Sequence, residues 1–96
     1  MVVRDPRERR SLRYIRLAAW FASRPPEVDR VELTLADIEE LIGETLPPVA
    51  RFPSWWRNDD RRTHSRAWLT AGWEVSDMRS SSSTVVFRRR QVPLPE

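Results

Sequence analysis

Two pairs of prolines and two glycines divide this chain into short segments, and these breaks limit the length of every helix and strand. Pro25-Pro26 must end any helix that begins near the N-terminus, because proline lacks a backbone N–H and restricts the residue before it. Pro47-Pro48 opens a second irregular stretch. Gly43 and Gly72 each follow a helical pattern, at the position where a left-handed residue commonly ends a helix. The sequence therefore predicts a small fold built of short elements.

Three segments between these breaks have helical periodicity, at 10–23, 35–42 and 63–71. Apolar residues recur three and four positions apart, which places them on one face of a helix. The stripe of the first helix is formed by Leu12, Ile15, Ala19 and Ala22, widened by Tyr14, Leu17, Ala18 and Phe21. The second helix follows Thr34 and Asp37, which together make a capping-box pattern. The predicted core includes Leu12, Ile15, Leu35, Ile38, Leu41, Trp68, Leu69 and Val86.

The remaining regular segments predict strands. Residues 31–34 alternate apolar and polar side chains, and a hairpin is predicted with strands at 73–78 and 84–88 around a serine tip at 80–83. Helix, strand, helix, helix, hairpin is the element order of a winged helix-turn-helix domain, in which the short strand joins the hairpin. We therefore expect an α+β, winged-helix-like fold with three main helices, a short strand and a C-terminal β-hairpin. The stretch 44–62 is far longer than an ordinary helix-turn-helix turn.

The length of 96 residues supports a single domain, because half of this chain would be too small to fold alone. We expect the domain to span 1–96, with 1–9 and 91–96 flexible. Cysteine is absent, which excludes disulfides and thiolate metal sites. No apolar run reaches the ~18 residues of a membrane span, and no signal-peptide pattern follows the N-terminal arginines. A cytoplasmic location is therefore expected.

No set of residues in the sequence suits catalysis or metal binding. His64, the one histidine, lies among Arg61, Arg62 and Arg66, which should lower its pKa, and no cysteine or carboxylate pair accompanies it. Asp59-Asp60 stand before a helix, where acidic residues usually act as caps. We therefore expect a protein that is not an enzyme and that uses neither a cofactor nor a metal.

Charge is distributed in blocks along the chain. The net charge is +5 over residues 1–24, −6 over 25–46 and +4 over 47–96. All 17 basic residues are arginine; a GC-rich genome would explain that choice but not the positions. Arginines gather at the start of the third helix and around the hairpin, the two DNA-facing parts of a winged helix. The alternative explanation is a solvated arginine-rich face without a ligand.

These clusters predict a small nucleic-acid-binding protein, with DNA favoured, that acts as a regulator or as a phage or mobile-element accessory. The predicted contact residues are Arg57, Asn58, Arg61, Arg62, Arg66, Arg79, Arg88, Arg89, Arg90 and Trp56. Asn58 could hydrogen-bond adenine or cap a turn, and the second role is favoured. Of Trp55 and Trp56, one is predicted to be core and the other partly exposed, where it could stack on a base. The alternative function is a protein–protein interaction module that uses an exposed tryptophan and the acidic second helix.

Several short motifs occur together in this sequence. They are Ile38-Glu39-Glu40-Leu41-Ile42-Gly43, Leu46-Pro47-Pro48-Val49-Ala50-Arg51, Trp55-Trp56-Arg57-Asn58 and Ala67-Trp68-Leu69-Thr70-Ala71-Gly72-Trp73. In combination they resemble a widespread, poorly characterised bacterial family of small domains, with its Leu-Pro-x-x-Ala stretch, Trp-Trp-x-Asn element and Ala-Gly-Trp helix end. The resemblance implies a shared fold and no established activity. Pro53, where a more helical residue is usual, is a local departure.

Overall fold

A computed structural model describes residues 6–90 of the chain, with side chains described from Tyr14 onward. The described residues form three α-helices and three strands. The helices are α1 (Pro6–Ala22), α2 (Leu35–Ile42) and α3 (Thr63–Leu69), and the strands are β1 (Arg30–Thr34), β2 (Trp73–Arg79) and β3 (Thr84–Arg89). The predicted α+β class, with three helices, a short strand and a C-terminal hairpin, is confirmed.

The three strands form one antiparallel sheet in the order β1-β3-β2, with β3 in the centre. The short strand therefore joins the hairpin as predicted, with Val31 opposite Phe87 and Leu33 opposite Val85. Val85 and Phe87 belong to the hydrophobic core. Because side chains alternate along a strand, Val86 between them points to the other face of the sheet, which we call the outer face.

The helix ends follow the predicted signals. The Asp37 amide donates to the Thr34 hydroxyl (3.0 Å) and the Thr34 amide donates to the Asp37 carboxylate (2.9 Å), which completes the capping box of α2. Gly43 ends this helix with φ +75°, and Gly72 follows α3 with φ +86°. The first helix begins at Pro6 and so includes 6–9, which the sequence placed in a flexible end. The other residues of the predicted flexible ends, 1–5 and 91–96, lie outside the described residues.

The buried face of α1 differs from the predicted one. Leu17 and Phe21 are buried, whereas Ile15 is 55% exposed; Ala19 and Ala22 are also exposed. The prediction that Ile15 is core is wrong. The stripe with Leu17 and Phe21 has larger side chains than the stripe with Ile15, Ala19 and Ala22. It therefore buries more apolar area when it faces the core. The side chain of Leu12 lies outside the described residues.

The rest of the core combines aromatic residues from every layer. Ile38 and Trp68 are buried in the core as predicted, and Val86 is buried too, but on the outer face of the sheet. Leu35, Leu41 and Leu69 are only partly buried and pack against the core. Phe21 contacts Phe87 and Trp73, with ring centroids 4.7 and 5.4 Å apart, which ties α1 to the sheet.

The long stretch between α2 and α3 contributes Ala50, Trp55 and Trp56 to the core. It forms two 3₁₀ turns, Pro48–Arg51 and Pro53–Trp56. Both Trp55 (9% exposed) and Trp56 (2% exposed) are buried, so the prediction that one of them is partly exposed is wrong. Each ring has its own partner, since Trp55 stacks on His64 and Trp56 stacks on Trp68. The stretch thus separates α2, which packs mainly on α1 and β1, from α3, which packs mainly on α1 and β2.

Candidate nucleic-acid interface

Asn58 fixes the loop before α3 to the edge of the sheet. Its Nδ2 donates to the Val75 carbonyl (2.9 Å), and its Oδ1 accepts from the Val75 amide (2.8 Å) and from the Trp68 indole (2.9 Å). The side-chain amide therefore pairs with β2 as a neighbouring strand would. Both lone pairs of Oδ1 are used, which leaves no acceptor for a bidentate contact with adenine. The structural role of Asn58 is the one that its contacts support.

Asp59 binds two of the predicted contact arginines. The Arg61 Nε and Nη2 atoms lie 3.0 and 3.3 Å from the two carboxylate oxygens, and the Arg62 Nε lies 3.7 Å from one of them. Hydrogen bonds from Arg61 lower the pKa of Asp59, and the same contact raises the pKa of Arg61. Exposed ion pairs add little stability. This carboxylate does, however, reduce the positive charge that the start of α3 presents.

Arginines of the two sequence clusters meet in one surface hollow of about 480 Å³, which we call the loop hollow. Its charged residues are Arg57, Arg61, Arg90, Asp59, Asp60 and Glu74. The Arg90 amide donates to the Gly72 carbonyl (2.8 Å), which holds the end of β3 beside the turn that follows α3. The fold thus brings the 57–61 loop and the end of the hairpin to the same place.

A second hollow of about 480 Å³, the sheet hollow, is lined mainly by residues of the outer face of the sheet. Its arginines are Arg30, Arg79, Arg88, Arg89 and Arg90. Arg90 lines both hollows. Arg66 lies elsewhere, in a third hollow of about 290 Å³ between α1 and α3, and Arg62 lines none of the three. The predicted arginines therefore do not form a single cluster.

Two hairpin arginines are occupied by contacts within the protein. Arg79 lies 3.0 Å from Glu32 and 3.3 Å from Asp77. The Arg89 guanidinium donates to the carbonyls of Pro25 and Val28 and lies 4.5 Å from the centre of the Trp73 ring. Arg89 therefore ties the α1–β1 connection to the sheet, a role that the sequence reading missed because its partners are distant along the chain.

The tryptophans do not supply an exposed ring. Trp56 presents no ring face to a base, and its Nε1 donates to the Ala50 carbonyl (2.6 Å). No tryptophan among the side chains of 14–90 is exposed, which also removes the exposed tryptophan expected for an interaction module. The large exposed apolar side chains of this part of the chain are Ile15, Val49 and Phe52. The exposure of Val49 and Phe52 was not predicted from the sequence. The prolines on both sides of their turn are the signal that keeps this turn short.

His64 serves the fold, and its burial favours the neutral imidazole. Its Nε2 lies 2.7 Å from the Trp55 carbonyl, and because a carbonyl only accepts, this nitrogen carries the hydrogen. Burial is the main cause that lowers the pKa of His64, and the charge of Arg62 adds to it. The direction predicted from the sequence is confirmed, but burial is a larger cause than the arginine neighbours.

In the described part of the chain, no group of three or more His, Cys, Asp or Glu residues is placed to hold a metal ion. None of the helices of this part is long and apolar enough to cross a membrane.

A family model with the description "domain of unknown function", DUF7662, matches residues 14–91. The chain belongs to the DUF7662 family. The DUF7662 match includes α2, α3, the whole sheet and the loop and sheet hollows. The predicted membership of a poorly characterised family is confirmed. No curated protein and no solved structure matches the chain.

Proposed function

We propose that this DUF7662 protein is a non-enzymatic nucleic-acid-binding domain with a winged-helix-like fold, and that DNA is its ligand. The observation that carries the proposal is the loop hollow, where Arg57 and Arg61 from one segment meet Arg90 from another. Guanidinium groups bind phosphate oxygens through paired, charge-assisted hydrogen bonds. Such contacts supply most of the affinity of a protein for nucleic acid of any sequence.

The topology supports the winged-helix part of the proposal. A winged helix has the element order found here, and its short first strand pairs with the hairpin, as β1 does with β3. The departure is the 44–62 stretch, which keeps α2 and α3 from packing as a helix-turn-helix pair. We therefore place the contact surface at the loop before α3 and the end of β3, instead of on α3 alone.

The arginines of this surface differ in whether an ion pair within the protein already uses their charge. Arg61, Arg62 and Arg79 share their charge with Asp59, Glu32 or Asp77. Five of the predicted contact arginines form no ion pair with another described residue, but the Arg89 guanidinium is held by backbone carbonyls. The other four are Arg57, Arg66, Arg88 and Arg90. A phosphate can bind these four without first breaking a pair. Arg57 and Arg90 combine this property with a place in the loop hollow.

The test is a titration of duplex DNA at several salt concentrations. The log of the affinity should fall linearly with the log of the salt concentration, by about 0.9 per phosphate contact. The double variant Arg57→Gln/Arg90→Gln should bind more weakly and flatten this slope by about 1.8. The control is Arg16→Gln/Arg51→Gln, which removes the same charge from exposed residues outside the loop hollow.

Two results would contradict the proposal. If both double variants weaken binding equally, the attraction is diffuse and the loop hollow is not the contact surface. If the parent shows no salt-dependent binding to duplex DNA, single-stranded DNA or RNA, the nucleic-acid function is wrong.

The second candidate, a protein–protein interaction module, rests on a different surface from the one predicted. Val49 (51% exposed) and Phe52 (56% exposed) lie three residues apart around the first 3₁₀ turn, which puts them on one side of it. Two acids of α2 already serve the fold, since Asp37 caps the helix and the Glu39 carboxylate accepts from the Leu46 amide (2.7 Å). A DNA titration without binding would favour this candidate.

A further inference from the structure

The outer face of the sheet places two arginines directly opposite each other. Arg30 of β1 pairs in register with Arg88 of the central strand, and Glu74 of β2 pairs with Arg88 on the other side. Phe87 points into the core, so the alternation of side chains puts Arg88 on the outer face, where it is exposed. Like charges directly opposite each other destabilise an antiparallel pair. The fold therefore carries a local electrostatic cost at this position.

The neighbouring carboxylates do not remove this cost. One oxygen of Glu32 lies 3.0 Å from the Arg79 Nη1 and 3.7 Å from the Arg30 Nη2, so the carboxylate is shared and Arg79 has the closer contact. Glu74, although opposite Arg88, forms no ion pair with it among the described residues. Arg30 is therefore only partly neutralised and Arg88 is not neutralised by these residues.

The sheet hollow opens beside this pair. Its lining includes five arginines and only two acids, Asp29 and Asp77, which leaves an excess of positive charge. Val86 is buried within the lining, between the charged side chains. An oxyanion in this hollow would accept hydrogen bonds from both guanidinium groups and would relieve their repulsion. The hollow has room for a phosphate or a pyrophosphate.

We propose that Arg30 and Arg88 together bind a phosphoryl group in the sheet hollow. Two guanidinium forks from adjacent strands can each donate two hydrogen bonds to one tetrahedral anion. This inference goes beyond the proposed function, because the phosphoryl group can belong to a free phosphate compound as well as to a nucleic-acid backbone. Arg30 lies outside the contact residues predicted from the sequence, so the site has a residue of its own.

Pyrophosphate titrated into the full chain tests the site, with the arginine Nε–H resonances followed by NMR. The Arg30 and Arg88 resonances should shift saturably. Arg30→Gln and Arg88→Gln should each weaken pyrophosphate binding by about tenfold or more, the loss of a charged hydrogen-bond pair. Arg51→Gln, an exposed arginine outside the hollow, is the control and should leave the affinity unchanged.

Thermal unfolding without phosphate gives an independent readout. If Arg30 and Arg88 were structural, replacing either would lower the melting temperature. Because they repel each other, we expect each Gln variant to melt at a temperature about 1–5 °C higher than the parent. Added pyrophosphate should raise the melting temperature of the parent and not that of the variants.

The outcomes separate this site from the proposed function. Unshifted resonances, or an affinity for pyrophosphate that survives both substitutions, would overturn the site. If Arg30→Gln and Arg88→Gln weaken binding of a short DNA duplex as well, the bound group is a backbone phosphate. If DNA binding is unchanged while pyrophosphate binding is lost, the site serves a free phosphate compound. A parent that binds pyrophosphate and no nucleic acid supports the site and contradicts only the proposed function.

Discussion

His64 lies flat against the indole of Trp55, with ring centroids 3.7 Å apart and ring planes inclined by 4°. Its Nε2 also donates to the carbonyl of the same tryptophan. The contact joins the first turn of α3 to the second 3₁₀ turn, and Tyr14 of α1 lies against both rings. The His64–Trp55 stack thus connects three segments.

The first prediction is that the domain loses stability as the pH falls below about 6.5, the ordinary pKa of histidine. Burial lowers the pKa of His64 in the folded state, so the unfolded chain binds the proton first and acid favours unfolding. His64→Phe keeps an aromatic ring that does not titrate, and it should reduce the loss of stability between about pH 7 and pH 5. Urea unfolding across this range measures it. The pKa of Asp59 is also lowered, so protonation of Asp59 reduces stability only below about pH 4. It therefore does not contribute to the change between about pH 7 and pH 5.

Asn58→Ala should lower the free energy of unfolding by about 2–3 kcal/mol, since three hydrogen bonds of about 1 kcal/mol each are lost. Asp60→Ala is the matched control, because this neighbouring side chain is exposed and forms no ion pair with a described residue. Urea unfolding followed by tryptophan fluorescence compares the two. Equal stability of the two variants would show that the bridge from Asn58 to Val75 and Trp68 contributes nothing.

Trp68→Ala should lower the free energy of unfolding by about 3–5 kcal/mol, because it removes a fully buried aromatic residue from the centre of the core. Phe52→Ala truncates an aromatic residue that is 56% exposed, and should change stability by no more than about 0.5 kcal/mol. Thermal melting of both variants gives the comparison. A Trp68→Ala protein that melts like its parent would contradict the position of this ring.

Arg88 and Arg89 are adjacent in sequence but point to opposite faces of the sheet, and they should respond differently to substitution. Arg89→Gln removes charged hydrogen bonds to the Pro25 and Val28 carbonyls and should lower the free energy of unfolding by about 1.5–3 kcal/mol. Arg88→Gln should not destabilise the fold. Chemical denaturation of the two variants tests the difference, and similar losses from both would contradict the structural role of Arg89.

Local rules were enough to predict most of the fold. Thr34 begins α2 and Gly43 ends it, and both act through contacts with residues nearby in the sequence. The alternation of apolar and polar residues in 31–34 likewise predicts a strand without knowledge of its partner. The buried face of α1 was mispredicted because Ile15 and Leu17 both fit helical stripes, and the position of α3 and the sheet decides between them. Trp55 and Trp56 are both buried because α1, α3 and the sheet enclose their turn, which no local pattern reveals.

The candidate site was predicted less well, because the sequence locates arginines but not their partners. Arg89 binds the Val28 carbonyl and Arg79 binds Glu32, and only the fold brings these residues together. Asp59 lies close to Arg61 and Arg62 in the sequence. It was interpreted as a helix cap, and that interpretation did not predict its contacts with two guanidinium groups. The charge that a ligand meets therefore depends on pairing as well as on composition.

The last prediction, which rests on the proposed function, is that Asp59→Asn strengthens DNA binding. The carboxylate pairs with Arg61 at 3.0 Å and with Arg62 at 3.7 Å, whereas the amide keeps Oδ1 as the acceptor for the Arg61 backbone N–H, so the turn is preserved. Each arginine released to a phosphate should steepen the slope of log affinity against log salt by about 0.9. Asp60→Asn makes the same change of net charge beside it without releasing an arginine, and should leave the slope unchanged. Equal effects of the two variants in a salt-dependent DNA titration would mean that only the net charge matters and that Asp59 does not restrain these arginines.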